Sequence, residues 1–190
     1  KEKSMLKKKM LVKALFTVSV LSLSGVASAA TIVNGGKINF TGEIVNAACV
    51  VSTKSIDQTV NIGQYRTAQF DSVGKTVGNT DFYINLEACD TTVAQNASVS
   101  FSGVSDSNDK TVLAVSNITT GGAGAATGVG IEITDHTGKV LPPDGSVFST
   151  AKQLIDGSNT LNFVARYKST LDTVTPGHAD ADVTFKMQYE

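Results

Sequence analysis

Val183-Thr184-Phe185-Lys186-Met187-Gln188-Tyr189-Glu190 alternates apolar and polar residues from end to end. A period of two puts Val183, Phe185, Met187 and Tyr189 on one face of a strand. These are the last residues of the sequence, with no following hairpin partner. The strand is therefore expected to present a free edge that needs a neighbour from elsewhere. The opposite end carries a similar pattern: Ile32-Val33-Asn34-Gly35-Gly36-Lys37-Ile38-Asn39-Phe40 is an extended stretch with apolar residues at Ile32, Ile38 and Phe40. Neither end reads as satisfying the other within one molecule, which points to assembly rather than chemistry.

Ahead of that stretch lies a leader. Met5 is followed by Lys7, Lys8, Lys9 and Lys13, then an apolar run from Ala14 to Val26, then Ala27-Ser28-Ala29. A basic start, a short apolar middle and a small-x-small site describe a secretory signal peptide cut before Ala30. A membrane anchor is the competing reading. A helix of roughly 13 residues spans only about 20 Å, against a hydrocarbon core of about 30 Å. Lys1 to Ser4 precede the expected initiator Met5, and no physical account of them follows from the sequence. The remainder is expected to be exported and soluble.

Lys1–Ala29 removes six lysines and Glu2 from the sixteen basic and seventeen acidic residues, leaving ten and sixteen, a net charge of −6. That acidic balance argues against nucleic acid as a partner, because phosphate binding needs clustered Lys and Arg. The remaining chain of about 160 residues suits one domain with its own core. It lacks Trp, has only three Pro, and is rich in Thr, Val, Ser and Gly, a composition that favours strands joined by turns. Both cysteines, Cys49 and Cys89, fall in this part. In an exported protein such a pair reads as a disulfide, with one possible connectivity. Closing the loop of about 40 residues between them stabilises a fold by about 4 kcal/mol in the chain-entropy model. Neither belongs to a CxxC, which speaks against redox or zinc chemistry.

Strands are expected nearly throughout. Gly42–Ser52 is apolar-rich, and Thr59–Gly63 contributes Val60 and Ile62. Phe82, Ile84 and Leu86 alternate before Cys89, and Val99 and Phe101 alternate in the next run. Val112–Val115 follows a turn-like Ser105–Lys110. Val129, Ile131 and Ile133 alternate, as do Leu161, Phe163, Ala165 and Tyr167. Runs of this length, separated by Gly, Asn, Asp and Ser, indicate an all-β sandwich. Ala151–Ile155 alone hints at helix, and Gly121–Gly130 reads as a loop leading into a strand.

Catalytic constellations are sparse. His136 sits in an expected turn and His178 follows Pro176-Gly177; both read as facing solvent rather than binding metal. No serine lies in a GxSxG elbow, and the Gly-rich loop lacks phosphate-loop spacing. Asp106 with Asp109, and Asp180 with Asp182, read as solvated charges rather than catalytic pairs. Three matches to a glycosylation acceptor, at Asn39, Asn96 and Asn117, decide nothing. No enzyme and no cofactor or metal are expected.

Taken in order, the residues resemble the chaperone–usher pilins, and within them the major subunits of type 1 fimbriae. The marks are Val33-Asn34-Gly35-Gly36, then Gly42-Glu43-Ile44-Val45-Asn46-Ala47-Ala48-Cys49, then Phe82-Tyr83-Ile84-Asn85-Leu86 before Cys89. Val129-Gly130-Ile131, Asp135-His136-Thr137-Gly138 and Phe163-Val164-Ala165-Arg166-Tyr167 follow. Gly177, fourteenth from the end, and the penultimate Tyr189 complete them. The resemblance implies an immunoglobulin-like β-sandwich lacking its last strand, completed by donor-strand exchange, a mode of strand addition already described for pilins.

It further implies a division into a signal peptide at 1–29, a donor extension at 30–40 and a pilin domain at 41–190. Ile32, Val33, Gly36, Ile38 and Phe40 would form the donor strand. Gly177, Val183, Phe185, Met187 and Tyr189 would form the acceptor groove that a periplasmic chaperone also recognises. Cys49 and Cys89 would pin the first strand beside it. Implied partners are other copies of the chain, that chaperone, an outer-membrane usher and minor pilins at a tip. The implied product is an extracellular, cell-adhesive fimbrial rod, with a minor or tip pilin of sugar-binding role as the alternative. Burying Ile32, Ile38 and Phe40 yields roughly 5–9 kcal/mol before ordering costs. Gly36 shares their parity, fitting a narrow place in the groove. If Val33 faces in instead, Gly35-Gly36 must change the strand's phase. Without the resemblance, Ile32–Phe40 reads equally well as an ordinary first strand paired within its own domain.

Overall fold

The computed structural model describes residues 30–119, 121 and 123–190. The expected leader, residues 1–29, lies outside the described residues. The chain divides into two units, Lys1–Gly42 and Glu43–Glu190. In the first, the described residues 30–42 form neither helix nor strand, and Ile32, Val33, Ile38 and Phe40 are between 77% and 97% exposed. Side chains this apolar are rarely left in water together without a partner to cover them.

The second unit is a sandwich of two antiparallel sheets. Its strands are β1 (Val50–Val51), β2 (Thr76–Cys89), β3 (Asn96–Gly103), β4 (Leu113–Ala114), β5 (Val129–Asp135), β6 (Lys152–Gln153), β7 (Gly157–Ser169) and β8 (Val183–Tyr189). One sheet runs β1-β2-β7-β5-β4 and the other β6-β3-β8. Alternation explains the layers: Ile84 and Leu86 of β2, Leu161, Phe163 and Ala165 of β7, and Ala97, Val99 and Phe101 of β3 all point inward and are buried. Phe101 crosses from one sheet to meet Phe163 edge-on at 5.2 Å, and Phe163 stacks on Phe82 at 5.4 Å. Such pairs add to the burial of their area.

The β2–β7 ladder is the longest, running from Thr76↔Lys168 to Cys89↔Gly157 with irregularities at Val77/Thr80 and Leu86/Cys89. At the first, Gly78 has φ +74°, and the Tyr65 ring occupies the place its Cβ would take. At the second, Ala88 is left-handed at φ 50°, a strained setting for a residue with a Cβ. That bulge precedes Cys89, which is bonded to Cys49 as the sequence led us to expect.

Several expectations need correction. The apolar run Gly42–Ser52 yields only the two-residue β1, because residues 43–47 stay exposed and outside the sheet. Thr59–Gly63 forms no strand. The Asn61 side chain accepts the Gly63 N–H at 3.0 Å, and Gly63 turns at φ +95°, so a local bond replaces a ladder. Ile62 nonetheless packs on the core. Ala151–Ile155 is not helical: Lys152–Gln153 pairs with Ala97 and Asn96 of β3, tertiary pairing overriding the local hint. A short helix forms instead at Thr53–Ile56.

Asp109 is not a solvated charge either. It sits 2.8 Å from Lys168, which also reaches Glu132 at 3.1 Å, and Arg166 pairs with the same buried Glu132. This network fastens the loop before β4 over the outer face of β5 and β7. Burial alone would raise the Asp109 carboxyl, but hydrogen bonds from Lys168 and Thr111 outweigh it and hold the group at about 2. His136 and His178 are exposed, as expected; His136 lies in a turn, whereas His178 bridges to Ala125.

Candidate functional site

Among the described residues β8 is the one long strand that ends a sheet. The other sheet-ending strands, β1, β4 and β6, are two residues each. Long unprotected edges are what proteins avoid, so a seven-residue one marks a place of pairing.

The register defines its geometry. Tyr189, Met187, Phe185 and Val183 stand opposite Ala97, Val99, Phe101 and Gly103. Asn96 and Glu190 exchange both main-chain bonds, at 2.8 and 3.0 Å. In an antiparallel ladder, bonded and non-bonded pairs alternate. Thr184, Lys186 and Gln188 therefore aim their N–H and C=O groups at β3. Val183, Phe185, Met187 and Tyr189 aim theirs at the open edge. One row of residues thus supplies both the main-chain groups on the edge and the apolar side chains directed into the sandwich.

Those side chains are incompletely covered. Ala97, Val99 and Phe101 of β3 are at most 2% exposed, whereas Val183, Phe185, Met187 and Tyr189 are all only half-buried while packing on the same core. β3 owes its burial to a second neighbour. Ser102 bridges to Asp144, Val99 exchanges bonds with Ser149, and β6 continues the line. β8 has no such second neighbour among the described residues.

The facing wall is the chain around β1. The Tyr189 hydroxyl donates to the Cys49 carbonyl at 3.3 Å, and burial pushes its phenol up from the ordinary value. Val51 and Ile62 pack on the same core as the β8 row. The Cys49–Cys89 bridge ties that wall to the end of β2, while β1 pairs Val50 with Glu87 and Val51 with Leu86. β8 and β1 thus end their respective sheets among the described residues, with the half-buried apolar row of β8 next to the Tyr189–Cys49 contact.

Gly177 lies elsewhere. A Cβ there would come within 2.4 Å of the main chain at Ala125 and Ala126, and the His178 carbonyl accepts the Ala126 N–H at 2.7 Å. Close backbone approach accounts for this glycine, six residues before β8 begins. It borders a cavity of about 760 Å³ beside Tyr65, Arg66, Phe70 and Tyr167. The Tyr167 hydroxyl donates to the Ala179 carbonyl at 3.1 Å; burial, Asp180 and Tyr65 raise its phenol.

Sequence reasoning missed the second neighbour of β3, because Asp144–Gln153 carries no strand alternation. It also missed the bond between Tyr189 and Cys49. The ion network had a usable signal: Glu132, Arg166 and Lys168 share the outward parity of adjacent strands. Among the described residues no three His, Cys, Asp or Glu side chains gather as a metal site requires. No helix there is long and apolar enough to cross a membrane.

Comparison with known proteins supplies the family. Residues 38–190 match the family model described as fimbrial protein. The fimbrial subunit type 1 of Salmonella typhimurium is 50% identical over 186 residues, covering 93% of this chain and 98% of that one. A solved chaperone–usher pilus contains a subunit 29% identical, superposing with a TM-score of 0.68 over 85% of this chain and all of that one. The rod subunit of the P pilus is 27% identical with a TM-score of 0.62, over 76% of this chain and all of that one.

Proposed function

The chain belongs to the fimbrial protein family, and on that premise we propose that it is a structural subunit that polymerises into a pilus rod by donor-strand exchange. Residues Thr31–Phe40 of one copy lie in the opening between β8 and β1 of the next. One observation carries this reading: β8 presents a seven-residue edge whose apolar row is half-buried, while Ala97, Val99 and Phe101 of its neighbour β3 are buried.

The energetics support it. Completing the burial of four acceptor side chains adds roughly 1 kcal/mol each to the roughly 5–9 kcal/mol from Ile32, Ile38 and Phe40. Main-chain bonds to the edge add about 1 kcal/mol each. Before assembly the same edge needs a temporary strand, which a periplasmic chaperone provides; an outer-membrane usher is where the exchange occurs. The finished fibre is extracellular, reached through the periplasm, with minor pilins at its tip. Nothing in this role calls for catalysis.

The test is a deletion of residues 31–40, expressed with a matching chaperone and usher. The shortened subunit should still fold and bind chaperone yet never extend a fibre in electron micrographs. Normal fibres from that variant would refute the donor assignment.

A further inference from the structure

We propose that Asn34-Gly35 is a built-in ageing site: in the free subunit Asn34 deamidates through a cyclic imide, and the altered copy keeps its groove but loses its donor. The inference rests on the donor reading above.

Asn34-Gly35 is the only Asn-Gly pair in the chain. Residues 30–46 have neither helix nor strand, and Asn34 through Gly36 are exposed. The reaction needs little else. The Gly35 nitrogen attacks the Asn34 side-chain carbonyl carbon, a new C–N bond closes the five-membered imide, and the amide nitrogen leaves as ammonia. Water then opens the imide at either carbonyl, giving aspartate or isoaspartate at position 34. No oxidant, metal or second protein takes part.

Two local conditions govern the rate, and both are met. The attacking nitrogen belongs to a residue without a Cβ, and nothing lies within 4 Å of where one would be at Gly35 or Gly36. The main chain must also rotate about Asn34 toward its own side chain, and no helix or strand holds residues 30–46 in place. The comparable Asp-Gly pairs are restrained. The Asp144 carboxylate accepts bonds from the N–H and hydroxyl of Ser146 at 2.8 and 2.7 Å. Asp156 accepts the N–H and hydroxyl of Thr91 at 2.8 and 2.7 Å.

The product is harmful where it matters. Asn34 shares parity with Ile32, Gly36, Ile38 and Phe40, so a carboxylate there enters the apolar side of the donor. Isoaspartate also lengthens the main chain by one methylene, so donor residues on either side of position 34 cannot both keep register with the β8 edge. A donor already seated is held extended with its N–H groups engaged, which blocks imide closure. Assembly thus protects the pair, and delay before assembly consumes it.

The experiment has two arms. Purified free subunit and intact fibres are incubated at mildly alkaline pH, and peptides are weighed. The free subunit should gain about one mass unit at Asn34, fibres should not, and Gly35→Ala should slow the gain on the order of tenfold. No gain in the free subunit, or equal gain in fibres, overturns the proposal. In the second arm, labelled peptides of residues 30–40 carrying Asn34 or isoaspartate are titrated onto the mature protein. The isoaspartate peptide should bind on the order of a hundredfold more weakly, and equal binding overturns the proposal. If neither peptide binds, the donor reading itself falls, and the functional half of this inference falls with it.

Discussion

β3 and β8 lie side by side in one sheet, turn matching apolar rows toward one core, and differ only in their far neighbours. Phe101 and Phe185 face each other across the ladder, yet the first is sealed and the second half-open. The contrast shows that the exposure of β8 does not come from its composition. It comes from its place at the end of its sheet, where no described strand lies on its other side.

Substitutions at that facing pair break the comparison most directly. Phe101→Ala should cost about 5 kcal/mol of subunit stability in urea unfolding, because it empties a space between Phe82 and Phe163. Phe185→Ala should cost the free subunit only about 1–2 kcal/mol, since half its surface already meets water. In fibres the two losses should converge; a persistent gap there would mean that β8 is never completed.

Replacing Cys49 and Cys89 by Ser releases the wall facing β8 and should lower stability by about 4 kcal/mol in the loop-entropy account. An unchanged melting curve under oxidising conditions would show the bridge dispensable.

Acid tests the closed side of the molecule. Asp109 is held at about 2 against an ordinary 3.8. A lowered folded value means that its contribution is complete above about pH 4 and is lost as the pH falls toward 2. Asp109→Asn should therefore flatten the stability profile across that window while leaving fibre assembly intact.

The smallest effect is expected at the bulge ahead of the disulfide. Ala88→Gly should raise stability by up to about 1 kcal/mol, relieving the left-handed setting. A loss would show that the alanine methyl packs usefully.

Much of this was legible in the sequence, for a physical reason. Strands buried on one face, such as β2, β7 and β8, carry the period of two in their residues, so Ile84, Phe163 and Phe185 announce their faces. Pairing decided by distant chain leaves no such trace. Lys152–Gln153 becomes a strand only because β3 lies beside it, and Thr59–Gly63 fails to become one because Asn61 diverts the main chain. In the candidate site the row on β8 was readable, whereas the coverage of β3 that gives that row its meaning was not. The assignment of Gly177 came from the family resemblance; the structure adds the close passage of Ala125 and Ala126.

The pairing proposed above has a consequence for the form of the polymer. On the donor reading each copy offers one β8 edge and one extension to match it, a valence of one in each direction. Copies joined by that pairing alone grow as unbranched lines.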